Sequence, residues 1–236
     1  MKRVYFLILL ITIISFAMIG YFKFSQPEKT KSKSPEFSSE KIDLPSPDYS
    51  STTSVEESLL KRRSVRGFKD LPLNLKEVSQ LLWAAQGITH QGEFRTAPSA
   101  GSLYPLEIYI VVNNVITVSK GVYKYYPNKN QLVKIKEKDI RKELSAAALG
   151  QRWIEEASVI LVFSAVYERT TKKYGERGIR YVHMEVGHAA QNVYLQAVSL
   201  NLGTTVVGAF NDEDVKKILN ISNEELPLYL IVVGKI

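Results

Sequence analysis

The 236-residue chain carries 31 Lys and Arg against 24 Asp and Glu, a formal net charge of +7, and contains no cysteine. Without thiols it forms no disulfide, iron–sulfur cluster or cysteine–zinc site, and no thiolate serves as a nucleophile. The positive charge is spread over an N-terminal segment, an arginine-rich run and a stretch around Lys172, Lys173, Arg177 and Arg180. No aromatic-interleaved basic stripe of the kind that tracks nucleic acid is visible, so no nucleic-acid partner is expected.

Residues 4–22 are apolar apart from Thr12, Ser15 and Gly20. At about 1.5 Å per residue a helix of that length roughly crosses a hydrocarbon core. Residues 1–24 are therefore expected to be a single-pass membrane anchor or an uncleaved signal, since no small-x-small cleavage site follows. Lys2 and Arg3 precede the span and Lys23, Lys29, Lys31 and Lys33 follow it, which leaves the side of the soluble domain open. Residues 25–54 are rich in Pro, Ser, Thr, Lys and Glu, a composition that buries too little surface to offset ordering entropy, and read as a disordered tether. Residues 55–236 suffice for one folded domain.

Ser54 and Glu57 have the capping-box spacing ahead of Leu59 and Leu60, which predicts a short helix leading into Lys61-Arg62-Arg63-Ser64-Val65-Arg66. Because this run follows a helix, the helix dipole is not its anion attractor. Planar guanidinium forks and a serine hydroxyl match phosphate oxygens by side-chain chemistry instead. Residues 75–85 place Leu75, Val78, Leu81, Leu82 and Ala85 at helical spacing, with Gly87 as a stop. The run 98–105 then enters an apolar strand over 106–112, and residues 123–126 and 132–135 form a hairpin across Asn128-Lys129-Asn130. A helix over 138–149 and a central strand over 158–165 follow.

The longest helical pattern covers 175–200, where Val182, Val186, Ala189, Ala190, Val193, Leu195, Ala197 and Val198 give an apolar surface wide enough for burial on more than one side. A strand over 204–207, a helix over 213–219 and a strand over 228–233 close the domain. Helices and strands mix without strict alternation, so the expected class is α+β around a mainly antiparallel sheet flanked by helices. His183, Glu185 and His188 do not form His-Glu-x-x-His, and no metal is expected.

Several motifs in order resemble the nitroreductase superfamily, and within it the SagB-type dehydrogenases. They are the Arg-Arg-Ser-Val-Arg run, residues 97–105 followed by Leu106-Glu107-Ile108-Tyr109, and the tyrosine-rich Gly121-Val122-Tyr123-Lys124-Tyr125-Tyr126-Pro127. Glu185-Val186-Gly187-His188-Ala189-Ala190-Gln191-Asn192 and the segment from Leu202-Gly203-Thr204 through Gly208-Ala209-Phe210 complete the set. The resemblance implies the nitroreductase-like fold, an intertwined homodimer and an FMN cofactor. By the same match, Arg62, Arg63, Ser64 and Arg66 meet the flavin phosphate and ribityl chain. Ser99, Gly101 and Ser102 lie in the loop that approaches the ring from the partner subunit, and Val206, Val207, Gly208 and Ala209 lie along the ring near its reactive nitrogen. Ser102 stands where several relatives carry asparagine, and the chain ends at Gly234-Lys235-Ile236 where many relatives extend further basic residues.

Lys173 and Tyr174 resemble the catalytic pair of azoline-oxidising SagB-type enzymes, in which a base takes a proton from carbon while hydride passes to the flavin. A solvated basic turn has the same sequence signature. The implied activity is two-electron transfer to or from the flavin on a small or peptidic substrate. The alternatives are an NAD(P)H-dependent nitro or quinone reductase and a non-catalytic, membrane-tethered flavin-binding protein.

Overall fold

A computed structural model describes residues 40–90 and 94–236. In chain order its elements are β1 (Lys41–Asp43), α1 (Val55–Lys61), α2 (Leu75–Gln86), β2 (Ile88–His90), β3 (Phe94–Arg95) and β4 (Leu106–Val112). Next come β5 (Gly121–Tyr126), β6 (Gln131–Lys136), α3 (Arg141–Ala147), α4 (Trp153–Glu156), β7 (Val159–Val166) and α5 (Glu168–Tyr174). α6 (Arg177–Ser199), β8 (Leu202–Val207), α7 (Asp212–Leu219) and β9 (Glu225–Lys235) complete it.

Seven strands form an antiparallel sheet in the order β1-β6-β5-β4-β7-β9-β8. β4, β7 and β9 are central and buried on both faces, which explains their near-continuous apolar runs. Alternation along β4 divides the interior. Leu106, Ile108, Ile110 and Val112 face a core completed by α2 and by Val182, Val186, Ala189, Val193 and Ala197 of α6. Tyr109 and Val111 face a second core with Leu144 of α3, Ile154 of α4, and Val215 and Leu219 of α7. α6 thus packs on one face while three shorter helices cover the other.

Local signals set most boundaries. The Ser54 hydroxyl accepts the Glu57 amide at 3.1 Å, and Asn74 and Glu77 form a reciprocal capping box at the start of α2. Gly87 ends α2 without a left-handed turn, at φ −66°. It is small because a Cβ there would stand 2.7 Å from the Trp83 Cα. The β5–β6 hairpin turns on Asn130, the residue that adopts the left-handed conformation, at φ 45°.

Three expectations change. The helical pattern over 175–200 is preceded by a separate helix, α5, because Gly175 at φ 58° and ψ −147° breaks the chain between Tyr174 and Arg177. The expected tether is ordered from residue 40 onward. β1 pairs with β6, Leu44 is buried, and the Asn130 side-chain amide donates to the carbonyls of Leu44 and Pro45 at 3.0 and 3.1 Å. A polar composition concealed a short strand that covers the edge of β6. The remainder of the tether lies outside the described residues.

The membrane localisation is corrected. Among the described residues no helix is long and apolar enough to cross a membrane. α6 has the length, at 23 residues, but carries Arg177, Arg180 and Glu185 along it. Residues 4–22, on which the anchor expectation rested, lie outside the described residues.

Candidate active site

The arginine-rich run leaves α1 and meets the sheet edge, where the Val65 amide donates to the Thr204 carbonyl at 3.0 Å. Arg62 stands over the Tyr194 ring at 5.2 Å, and the Ser64 hydroxyl is 3.4 Å from the Tyr194 hydroxyl. That hydroxyl in turn accepts the Val206 amide at 2.9 Å. One side chain of α6 therefore joins the arginine run to β8. Arg63 donates to the carbonyls of Leu60 and Arg62, both at 2.8 Å, and so caps the end of α1. Arg66 stands 5.5 Å over the Trp153 ring of α4.

Val206 has its amide occupied by Tyr194, and Val207 is paired in the ladder opposite Leu230, while Gly208 and Ala209 are exposed. The Ala209 carbonyl accepts from the Gln151 side chain at 3.1 Å.

The second group is built on the 99–104 turn. Gly101 has φ 63°, and Ser102 and Tyr104 are also left-handed, at φ 55° and 45°. The Ser99 hydroxyl closes the turn by accepting the Tyr104 amide at 2.9 Å. A Cβ on Gly101 would lie 2.7 Å from the Tyr174 hydroxyl and 2.9 Å from Lys173 Nζ. The bare glycine is what allows the pair at the end of α5 to close on the turn. Lys173 Nζ lies 5.4 Å over the Tyr174 ring, Tyr174 packs edge-on against Tyr181 at 5.2 Å, and Arg177 stands 6.0 Å over Tyr181.

Behind this turn the sheet end holds a polar cluster. Glu107 binds Lys124 at 2.9 Å and Arg169, and Arg169 also donates to the Tyr104 carbonyl at 3.1 Å. Burial opposes ionisation of Glu107, but Lys124 and Arg169 outweigh it and hold its carboxyl below the usual range. The Glu225 carboxylate accepts from the Tyr109 hydroxyl at 2.9 Å and the Ser164 hydroxyl at 2.6 Å, with Lys124 at 3.4 Å. Burial, and then the Glu225 charge, push the Tyr109 phenol well above its ordinary pKa.

Within one chain the two groups are separate. Tyr194 marks the first and Tyr181 the second, thirteen residues apart on α6, or roughly 20 Å along the helix axis. The structure thus brings Lys173, Tyr174 and Gly101 together, and Arg62, Ser64 and Val206 together, without uniting them. Tyr194 was not singled out from the sequence. Its only signal is a polar-tipped aromatic one position after the buried Val193 of α6.

The nitroreductase family pattern matches residues 59–235. The nitroreductase-family protein MJ1384 of Methanocaldococcus jannaschii is 52% identical over 181 residues, covering 77% of this chain and 90% of that protein. An FMN reductase [NAD(P)H] of Bacillus subtilis is 25% identical over 76% of this chain, which spans 65% of that enzyme. Among solved structures, a nitroreductase-family protein of Ralstonia eutropha is 29% identical with a TM-score of 0.74, covering 83% of this chain and 89% of that one. The Escherichia coli microcin synthetase McbBCD complex with truncated pro-MccB17 bound contains a chain 25% identical with a TM-score of 0.65, covering 91% of this chain and 80% of that one. With the seven-stranded antiparallel sheet and its flanking helices, these matches place the chain in the nitroreductase family, with the nitroreductase-like fold, as an oxidoreductase.

Proposed function

We propose that this oxidoreductase uses FMN and is of SagB type, moving two electrons between the flavin and a small or peptidic substrate. The observation that carries this reading is the closure of Lys173 Nζ and the Tyr174 hydroxyl on the Gly101 turn. It gives a proton-handling pair a fixed place beside a backbone turn free of side chain. The microcin synthetase match supports the peptidic option for the substrate.

The donor set suits a phosphate-bearing flavin. Arg62 and Ser64 converge at Tyr194 with further donor capacity on the guanidinium, and Gly208 and Ala209 offer exposed main chain. Arg66 and the unused nitrogens of Arg63 add positive charge. The flavin, when bound, supplies hydride exchange. Lys173 Nζ is the atom assigned to take the substrate proton, and the Tyr174 hydroxyl orients it. Because the two groups lie roughly 20 Å apart along one helix, a homodimer in which the partner's Gly101 turn completes each site accounts for both. Exposed Leu59 and Leu60 on α1, and Ile179 and Met184 on α6, provide apolar surface for that contact.

Protein stripped of flavin is expected to quench added FMN and turn yellow, with about one flavin per chain. Arg62→Ala should raise the FMN Kd roughly 10- to 100-fold, since a charge-assisted hydrogen bond contributes about 1.5–3 kcal/mol. Colourless protein that ignores added FMN would overturn the reading. Lys173→Met with Tyr174→Phe should abolish proton abstraction from an azoline peptide while sparing FMN affinity.

The match to the FMN reductase [NAD(P)H] of Bacillus subtilis favours a second reading, in which NADH or NADPH reduces the flavin for a nitro or quinone acceptor. Anaerobic addition of each nicotinamide separates the two. Rapid bleaching supports the reductase, and an unchanged flavin spectrum excludes it.

A further inference from the structure

A cavity of about 500 Å³ lies between α2, α6 and the start of α1, closed on one side by the strap of residues 48–53. Its size suits a small ligand or a few residues of peptide. None of the residues assigned above to the flavin or to proton handling lines it. The strap is held at several points. The Ser79 hydroxyl donates to the Pro45 carbonyl at 2.6 Å, the Tyr49 ring meets Trp83 edge-on at 5.6 Å, and the Ser51 and Ser199 hydroxyls are 2.7 Å apart.

Main-chain bonds fix the polarity of the lining. The Asp48 amide donates to Gln80 Oε1 at 2.8 Å and Gln80 Nε2 donates to the Asp48 carbonyl at 3.0 Å, so the two ends of that side-chain amide cannot be exchanged. Gln80 Nε2 also donates to Gln196 Oε1 at 3.1 Å. Gln196 therefore turns its oxygen to Gln80 and keeps its Nε2 donor for another partner. One turn earlier on α6, Asn192 Nδ2 donates to the Thr96 carbonyl at 3.2 Å, which fixes this amide too and leaves Oδ1 as an acceptor. Neither side chain forms a further hydrogen bond among the described residues. Both line the cavity, with Cβ atoms about 5–6 Å apart on one helix face. The charged groups of the lining answer one another or their neighbours: Lys76 binds Asp48 at 2.8 Å, and Glu77 accepts the Asn74 amide at 2.9 Å and Lys235 at 2.5 Å. Trp83, Ala84, Leu195 and Leu200 supply apolar wall.

An occupant that fits is uncharged, offers a carbonyl to Gln196 and an N–H to Asn192 from one side, and brings an apolar group to Trp83. The N–H and C=O of one residue in an extended chain point to the same side, as in antiparallel pairs that exchange both bonds. We propose that this cavity docks a short, uncharged stretch of a peptide in extended form, with Gln196 Nε2 and Asn192 Oδ1 reading one residue's main chain and Trp83 packing on its side chain. The cavity reaches Thr96, five residues before Gly101, which is at most roughly 18 Å of chain. A docked peptide is thus held near the turn on which Lys173 and Tyr174 close. That this peptide is a substrate rests on the peptidic reading proposed above; the docking of main chain does not.

The test titrates the full-length protein, free of flavin, with an end-blocked peptide of glycine, serine and leucine, and follows the side-chain amide resonances of Asn192 and Gln196 and the indole resonance of Trp83. The three should shift together and saturate. The same peptide N-methylated throughout offers no N–H and should bind the wild type roughly 10-fold more weakly, since a lost partner leaves a polar group unpaired. Gln196→Glu keeps the acceptor towards Gln80 and turns the donor into an acceptor, and should raise the peptide Kd by about 10-fold or more. In the flavin-loaded enzyme the same substitution should raise KM for an azoline peptide with kcat little changed. Saturable shifts without turnover of any azoline peptide would uphold the docking site while removing peptide oxidation. No shift at the three residues, or equal affinity for the N-methylated peptide, overturns the proposal. A Gln196 resonance that moves with protein concentration and not with peptide also overturns it, because a second copy of the chain then fills the cavity.

Discussion

Glu225→Ala is expected to destabilise the protein by about 3–5 kcal/mol, the range for removing one partner from a buried, hydrogen-bonded charge cluster. Glu225 is 4% exposed, and its two oxygens receive the Tyr109 hydroxyl, the Ser164 hydroxyl and the Lys124 ammonium. Alanine leaves the two hydroxyls without an acceptor, each at about 1–3 kcal/mol. It also leaves Lys124 dependent on Glu107 alone. The cost is large beside a typical domain stability of about 5–15 kcal/mol. Glu225→Gln keeps a carbonyl oxygen for one hydroxyl and discards the charge, so its cost should be smaller. Urea unfolding of both variants and of Lys124→Met measures the coupling, and a Glu225→Ala loss below about 1 kcal/mol would show that the cluster contributes little. Because Arg169 links Glu107 to the Tyr104 carbonyl, the same substitution should also loosen the Gly101 turn.

The central strands were readable because β4 and β7 are buried on both faces and so run apolar without interruption. β9 was readable only in its middle. Its first residue is Glu225, and an acidic residue at a strand start reads as loop until Tyr109 and Ser164 are seen opposite it. The same limit applies to β1, where Ile42 and Leu44 are too few to shift the average of a polar segment, yet one strand edge was enough to order them. Within the candidate site, the resemblance to the nitroreductase family pointed to Arg62, Ser64, Gly101, Lys173 and Tyr174. Which of them meet depends on turns of 3.6 residues and on tertiary contacts, so Tyr194 emerged only from the fold. Sequence proximity also misled in one respect. Arg62 and Arg66 lie on one short run, yet their guanidiniums stack on aromatics from different helices, Tyr194 of α6 and Trp153 of α4.

Gly101→Ala is expected to lower turnover of the flavin-loaded enzyme on an azoline or other proton-donating substrate by roughly 100-fold, the loss that follows a misplacement of about 1 Å at reacting groups. Its effect on stability should be far smaller. The left-handed φ of 63° costs alanine about 1–2 kcal/mol, and the atoms a Cβ meets first are the Tyr174 hydroxyl and Lys173 Nζ, both at the free ends of flexible side chains. Those ends can move aside, so the fold survives while the proposed proton-handling pair is displaced. An obstruction that includes backbone would behave in the opposite way, as at Gly87, where the Trp83 Cα at 2.7 Å stands behind the Trp83 Cδ1 at 2.2 Å. The informative measurement is therefore a pair: Tm, with kcat and FMN Kd on the same preparation. A variant that melts within a few degrees of wild type, keeps FMN and loses kcat places the chemistry at the meeting of the turn with α5. Unchanged kcat would remove Lys173 and Tyr174 from the mechanism, and weakened FMN binding with kcat preserved at saturation would assign the turn to holding the cofactor instead.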